Sequence, residues 1–172
     1  GGQTKTPTFS VLLNDQKNYV GGAGIVAMHL SSAGADVSFT SVVANDKIGN
    51  FVKKEFKKRK IKTNFISEKN RPTTNKNTFI SDPYRLLKVD TLSNTPIEED
   101  TINFISKNIK KNKKDILIFS DFRHGIFNSR SLPVFLSSIP KKVLKVGDSQ
   151  VASRWGNITE FKKFDLITSN EK

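Results

Sequence analysis

The chain contains no cysteine, so it can carry neither a disulfide framework nor a thiolate metal site. Its two histidines, His29 and His124, are far apart and give no metal constellation without cysteine partners. No stretch approaches the roughly 18 apolar residues that cross a bilayer. No basic, apolar, small-residue signal peptide opens it. These absences lead us to expect a cytoplasmic protein without a membrane partner. Acidic residues are scarce as well: 16 against 29 Lys and Arg in 172 residues, a formal net charge of +13. Aromatics other than Phe are rare, with one Trp and two Tyr beside 13 Phe.

That charge invites a nucleic-acid reading, which its distribution argues against. Lys53, Lys54, Lys57, Lys58 and Arg59 share a segment in which Ile48, Phe51, Val52 and Phe56 recur at helical spacing. The lysines are the solvated face of an amphipathic helix. The phenylalanines fall at core positions and do not alternate with basic residues as a base-stacking platform requires. No nucleic-acid partner is expected.

The length suits one domain with a sizeable core. Strand patterns occur at Thr6–Leu13, Ala35–Ala44, Asn64–Ser67, Thr73–Ser81, Arg85–Asp90, Asp115–Ser120, Lys142–Gly147 and Asp165–Ser169. Helical patterns cover Gly21–Gly34, Asp46–Lys60, Glu98–Lys111, Ser131–Ser138 and the region Trp155–Phe164. The apolar run DILIFS predicts a strand buried on both faces. Strands alternating with helices predict an α/β fold with a mainly parallel sheet. The Thr73–Ser81 and Arg85–Asp90 strands, together with Thr6–Leu13, have no helices between them. They read as a small antiparallel appendage, with Asp82-Pro83 as a turn.

The chemistry concentrates in YVGGAGIVAMHLSSAG, where a glycine cluster opens a helix of small residues. The spacing Gly22-x-Gly24-x-x-Ala27 fits a dinucleotide fingerprint, with Asp46 downstream as the ribose acid. That fingerprint requires a buried strand running into the first glycine, and the residues before Gly21 read NDQKNY. The context fails. A turn that brings main-chain amides close to a polyol needs the same glycines without that strand.

The segment GGAGIVAMHLSSAGADVSFTSVVANDKIGNF, with its double glycine and its Asp46-x-x-Gly49, resembles sugar kinases of the ribokinase, or PfkB, type. RPTTNKNTFIS…YRLLKVD resembles the lid of D-glycero-β-D-manno-heptose 7-phosphate kinases, the kinase half of the ADP-heptose synthesis enzymes. ILIFSDFRHG resembles their SDY-x-KG segment. VGDSQ stands where that family has Asp-Pro-Lys, and DLITSNEK matches the start of its Asn-x-x-Glu motif.

The resemblance implies a ribokinase-like three-layer αβα fold, mainly parallel, with a small antiparallel β lid. The lid would cover about residues 6–20 and 72–90, and the α/β core about 21–66 and 97–172. It implies phosphorylation of a sugar or sugar phosphate hydroxyl by ATP with Mg2+, and a place in ADP-heptose and lipopolysaccharide synthesis. Gly21, Gly22, Gly24, Lys76 and Asp121 would meet the sugar phosphate; Asp148 and Asn170 would lie near the nucleotide and its magnesium. A homodimer through the lid would follow. The family's Gly-Ala-Gly-Asp turn, with the catalytic Asp, is expected beyond Lys172, and its first sheet strand before Gly1. The 172 residues then read as an incomplete, internal piece that is inactive alone. His29 reads as packing, not chemistry.

Three departures bear on the substrate, and the first two support a rival reading, a kinase-like module that binds without catalysis. Ile25 replaces the family's sugar-bonding asparagine, Thr78 its lid arginine, and GDSQ lacks Pro-Lys.

Overall fold

The computed structural model describes residues 11–111, 113–149 and 160–168. In chain order the elements are α1 (Gly22–Ser32), β1 (Ser38–Val42), α2 (Lys47–Lys58), β2 (Lys62–Ile66), β3 (Asn75–Ser81), β4 (Tyr84–Thr91), α3 (Glu99–Lys111), β5 (Ile116–Asp121), α4 (Ser131–Ser138), β6 (Leu144–Ser149) and β7 (Leu166–Thr168).

Local chemistry explains most boundaries. Gly34, at φ 94°, ends α1 in the left-handed conformation, its amide and that of Ala35 returning to the carbonyls of Ser31 and Leu30. Asp46 caps α2 through the Gly49 amide at 2.6 Å. In α3, Glu99 and Asp100 occupy the first turn and Lys110 and Lys111 the last, as the helix dipole favours. Ile102, Ile105 and Ile109 are buried on its inner face, as their spacing predicts.

The parallel strands form two ladders among the described residues. β1 pairs with β2 from Ser38–Lys62 to Val42–Ile66. β5 pairs with β6, and β6 with β7. No ladder joins β1 to β5 among those residues, yet α1 packs against both strands and α3 also packs on β1. Phe56 is buried with Ala27, Met28 and Ile61, and stacks on Phe39 at 4.9 Å. A second cluster joins α3, α4 and β5 through Ile102, Phe119 and Phe135, extended by Phe161.

Two expectations are corrected. Residues 11–20 form no strand, and Val11, Leu12 and Leu13 are exposed; the remainder of the Thr6–Leu13 pattern lies outside the described residues. Weak alternation over polar neighbours gives no apolar face with which to join a sheet. The DILIFS strand buries Phe119, but Ile116, its first residue, is 52% exposed, and among the described residues β5 has a ladder partner on one edge only.

The appendage is a two-stranded antiparallel ribbon, β3 with β4, paired from Asn75–Thr91 to Ser81–Tyr84 with an irregularity between Phe79 and Ile80. Every residue of β4 is exposed.

Candidate functional site

Gly21 precedes α1 in an extended conformation and has open space where a Cβ would stand. Among the described residues no side chain caps the helix; the Gly24 amide turns back to the Gly21 carbonyl at 3.1 Å, and the amides before it are placed to meet a ligand. Gly22 has φ 53°, a conformation that favours glycine, and a Cβ there would touch the Phe122 ring at 3.7 Å. The glycine turn therefore abuts the loop that follows β5. Gly24 faces inward: a Cβ would come within 2.5 Å of Val20, and the Phe56 ring lies at 3.6 Å. Its lack of a side chain serves helix packing. Because no apolar strand leads into Gly21, the dinucleotide arrangement is absent.

Asp121, at the end of β5, is 3% exposed. One carboxylate oxygen accepts the Arg123 amide at 2.8 Å. The other meets the Arg123 guanidinium at 3.2 Å and the Ser149 hydroxyl at 3.3 Å. Asp121 thus shapes the loop and anchors it to β6. The adjacent Ser120 hydroxyl is buried with no hydrogen-bond partner among the described residues. Asp148 is half-buried and accepts from the Thr168 hydroxyl at 3.1 Å. Asn170 lies outside the described residues.

Lys76 is exposed on the ribbon, 3.5 Å from Asp90 directly across the ladder, and Lys88 is 3.6 Å from the same carboxylate. His124, in the loop after β5, pairs with Asn94 at 2.9 Å. Burial lowers the His124 pKa below its ordinary value; Lys76 lowers it further, while Asp121 and Asp90 act in the opposite direction. His29, expected in packing, is exposed on α1.

Asp46 and Gly49, whose spacing stood out in the sequence, and Thr73, Glu68 and Arg71, which did not, hold this arrangement together. Burial opposes the charge of Asp46, but the Gly49 and Thr73 amides and the Thr73 hydroxyl outweigh it and hold its pKa below the usual carboxylate value. Its Oδ2 accepts the Thr73 amide at 2.9 Å, so one carboxylate caps α2 and pins the start of the lid. Gly49 permits the close approach: a Cβ there would be 2.0 Å from the Ala44 carbonyl oxygen. The Asp46-x-x-Gly49 spacing was the available signal for this junction. Glu68 and Arg71 form a buried pair nearby.

Residues 5–121 match the pfkB family carbohydrate kinases. The chain belongs to that family. Across 171 residues, this pfkB chain is 29% identical to "Bifunctional protein HldE" of Aliarcobacter butzleri (strain RM4018); the match covers 98% of the chain and 35% of that relative. The chain therefore spans about a third of the curated relative's length. Among solved structures it resembles Sa239, with TM-score 0.66, 14% identity, and coverage of 98% of this chain and 55% of that one. It also resembles the tetrameric inhibited form of phosphofructokinase-2 from Escherichia coli, with TM-score 0.64, 12% identity, and coverage of 92% and 55%. The fold is ribokinase-like, an α/β body carrying a β ribbon.

Proposed function

We propose that the full-length protein transfers a phosphoryl group from ATP to a hydroxyl of a sugar phosphate resembling a heptose 7-phosphate. The observation that supports this most is the glycine turn of α1, without a side-chain cap among the described residues, set against Phe122 in the loop that follows β5. Phosphoryl transfer requires positioning and charge neutralisation more than covalent chemistry. In this reading the amides at Gly21 and Gly22 donate to sugar oxygens, and Gly24 lets α1 seat closely enough to present them. Lys76 neutralises the phosphate already on the substrate. Asp121 acts through the loop that it folds.

Asp148 and Asn170 belong to the nucleotide side. Among the described residues no group of three or more His, Cys, Asp or Glu could hold a metal. Mg2+ commonly binds through substrate phosphates, waters and few carboxylates, so the ion comes with ATP and Asp148 is the described carboxylate available to it. Bound there, the ion would neutralise phosphate charge. No helix among the described residues is long and apolar enough to cross a membrane; the reaction belongs in the cytoplasm, where ATP is available.

The ribbon's other face carries Phe79 opposite Leu87 and Val89 opposite Asn77, with all three apolar side chains exposed. This face forms the homodimer contact. Leu87→Asp would leave a monomer in sedimentation, whereas an unchanged monomer–dimer balance would remove the contact from the proposal.

The functional test is ATP-dependent phosphorylation by the full-length protein across sugars and sugar phosphates. Lys76→Ala is expected to raise KM for a phosphorylated acceptor by about tenfold or more, equivalent to roughly 1.4 kcal/mol, with less effect on an unphosphorylated one. Ile25, 39% exposed beside the glycine turn, supports the second reading, a binding module without catalysis. Sugar binding without turnover in the full-length protein would establish that alternative.

A further inference from the structure

The Glu68–Arg71 pair makes none of the proposed substrate contacts, yet Arg71 joins three parts of the site. Its side chain is 9% exposed and that of Glu68 3%. Arg71 Nε donates to Glu68 Oε2 at 2.5 Å. Nη1 reaches the carbonyl oxygens of Ser93 at 3.3 Å and His124 at 3.2 Å. Nη2 reaches those of Thr95 at 2.6 Å and Pro96 at 3.2 Å, and the Thr95 hydroxyl at 3.3 Å. The second Glu68 oxygen accepts the Glu98 amide at 2.8 Å, just before α3. One guanidinium therefore links the chain entering the ribbon, the chain leaving it, and the loop after β5.

A buried ion pair is a weak means of stabilisation, since a well-packed apolar pair of similar volume often does as well. A planar guanidinium supplies something that an apolar plug lacks: several donors in a fixed fan, each with a required direction. Direction matters here because the ribbon has no core of its own. With β4 exposed along its whole length, packing cannot fix the angle at which β3 and β4 leave the body. Bonds at the roots must fix it. At the entering root, the Thr73 amide donates to Asp46 and its hydroxyl accepts from the Ala44 amide at 3.0 Å. At the leaving root and the β5 loop, the fan of Arg71 performs that task.

We propose that Arg71, held by Glu68, is a positioning residue that sets the angle of the β3–β4 ribbon against the Asp121–Gly125 loop, and hence against the Gly21–Gly22 turn. Only its consequence, the delivery of Lys76 to a substrate phosphate, rests on the kinase reading. The structural claim can be tested without sugar or ATP, so its failure and the failure of the kinase reading remain distinct.

Spin labels are placed on the full-length protein at Ser81→Cys, near the ribbon tip, and Lys107→Cys, on α3; both residues are exposed. Pulsed dipolar spectroscopy gives the distribution of distances between them. A second pair, Lys54→Cys with Lys107→Cys, reports on the body alone. Arg71→Met and Arg71→Lys are expected to broaden the first distribution by about twofold or more while leaving the second unchanged. Arg71→Lys keeps a charge opposite Glu68 and loses the planar fan, so it decides the matter if Arg71→Met does not fold. An unchanged ribbon distribution in Arg71→Lys would overturn the proposal. Equal broadening of both pairs would also overturn it, because it would mark a general packing defect.

Discussion

Phe135 is fully buried beneath α3, packed with Phe119 and Phe127, whereas Leu87, also apolar and on a regular element, is 56% exposed. The contrast separates the body from the ribbon. The body is held by non-directional burial distributed over many side chains. The ribbon is a pair of strands too small to be stable alone, fastened at its roots by a few directed hydrogen bonds. Losing one methylene group is felt locally in the body; losing one donor at a root is felt along the whole ribbon.

Phe135→Ala should produce the largest effect, about 3–5 kcal/mol of lost stability in denaturant unfolding; a loss comparable to that of an exposed residue would erase the contrast. Gly125→Ala comes next. Gly125 has φ 82°, and a Cβ would lie 1.9 Å from the Thr95 carbonyl oxygen, where the ribbon's leaving root meets the β5 loop. A cost of about 2 kcal/mol or more is expected, from strain and the forced backbone shift, with thermal unfolding as the measurement.

Asp46→Asn follows, at about 1 kcal/mol near neutral pH. Because the folded-state pKa of Asp46 is depressed, its contribution is present above the unfolded value of about 3.9 and is lost as pH falls through the lower folded value. Thermal melts below about pH 4 should therefore bring wild type and Asp46→Asn together; a gap that stays constant would show that the charge is irrelevant. Leu87→Ser should cost least, within about 0.5 kcal/mol for the unassembled protein. A body-sized loss in circular-dichroism melts at low concentration would mean that the ribbon has a core after all.

Helices were the most legible elements. The 102, 105, 109 spacing placed a buried face, the 48, 51, 52, 56 spacing a face on which Phe56 is buried and the other three half-buried, and α4 occupies Ser131–Ser138 as expected. The described end of the Thr6–Leu13 pattern, residues 11–13, forms no strand and is exposed, because short alternation has no burial to enforce it. The glycine turn was legible as a turn. The division of labour inside it was not: Gly21 and Gly22 are exposed, whereas Gly24 meets Val20 and Phe56. Asp121 appeared as a strand-end carboxylate, with no sign that Arg123 and Ser149 engage both its oxygens.

The sequence by itself determined the order of the described helices and strands, the solvated lysine faces and the place of the glycine turn, because each depends on side-chain periodicity or on backbone freedom within a few residues. Tertiary structure alone decided that Arg71 would join carbonyls at 93, 95, 96 and 124, and that Asp46 would hold both a helix and a lid root. Such bonds depend on where distant segments meet, and neither periodicity nor local conformation carries that information.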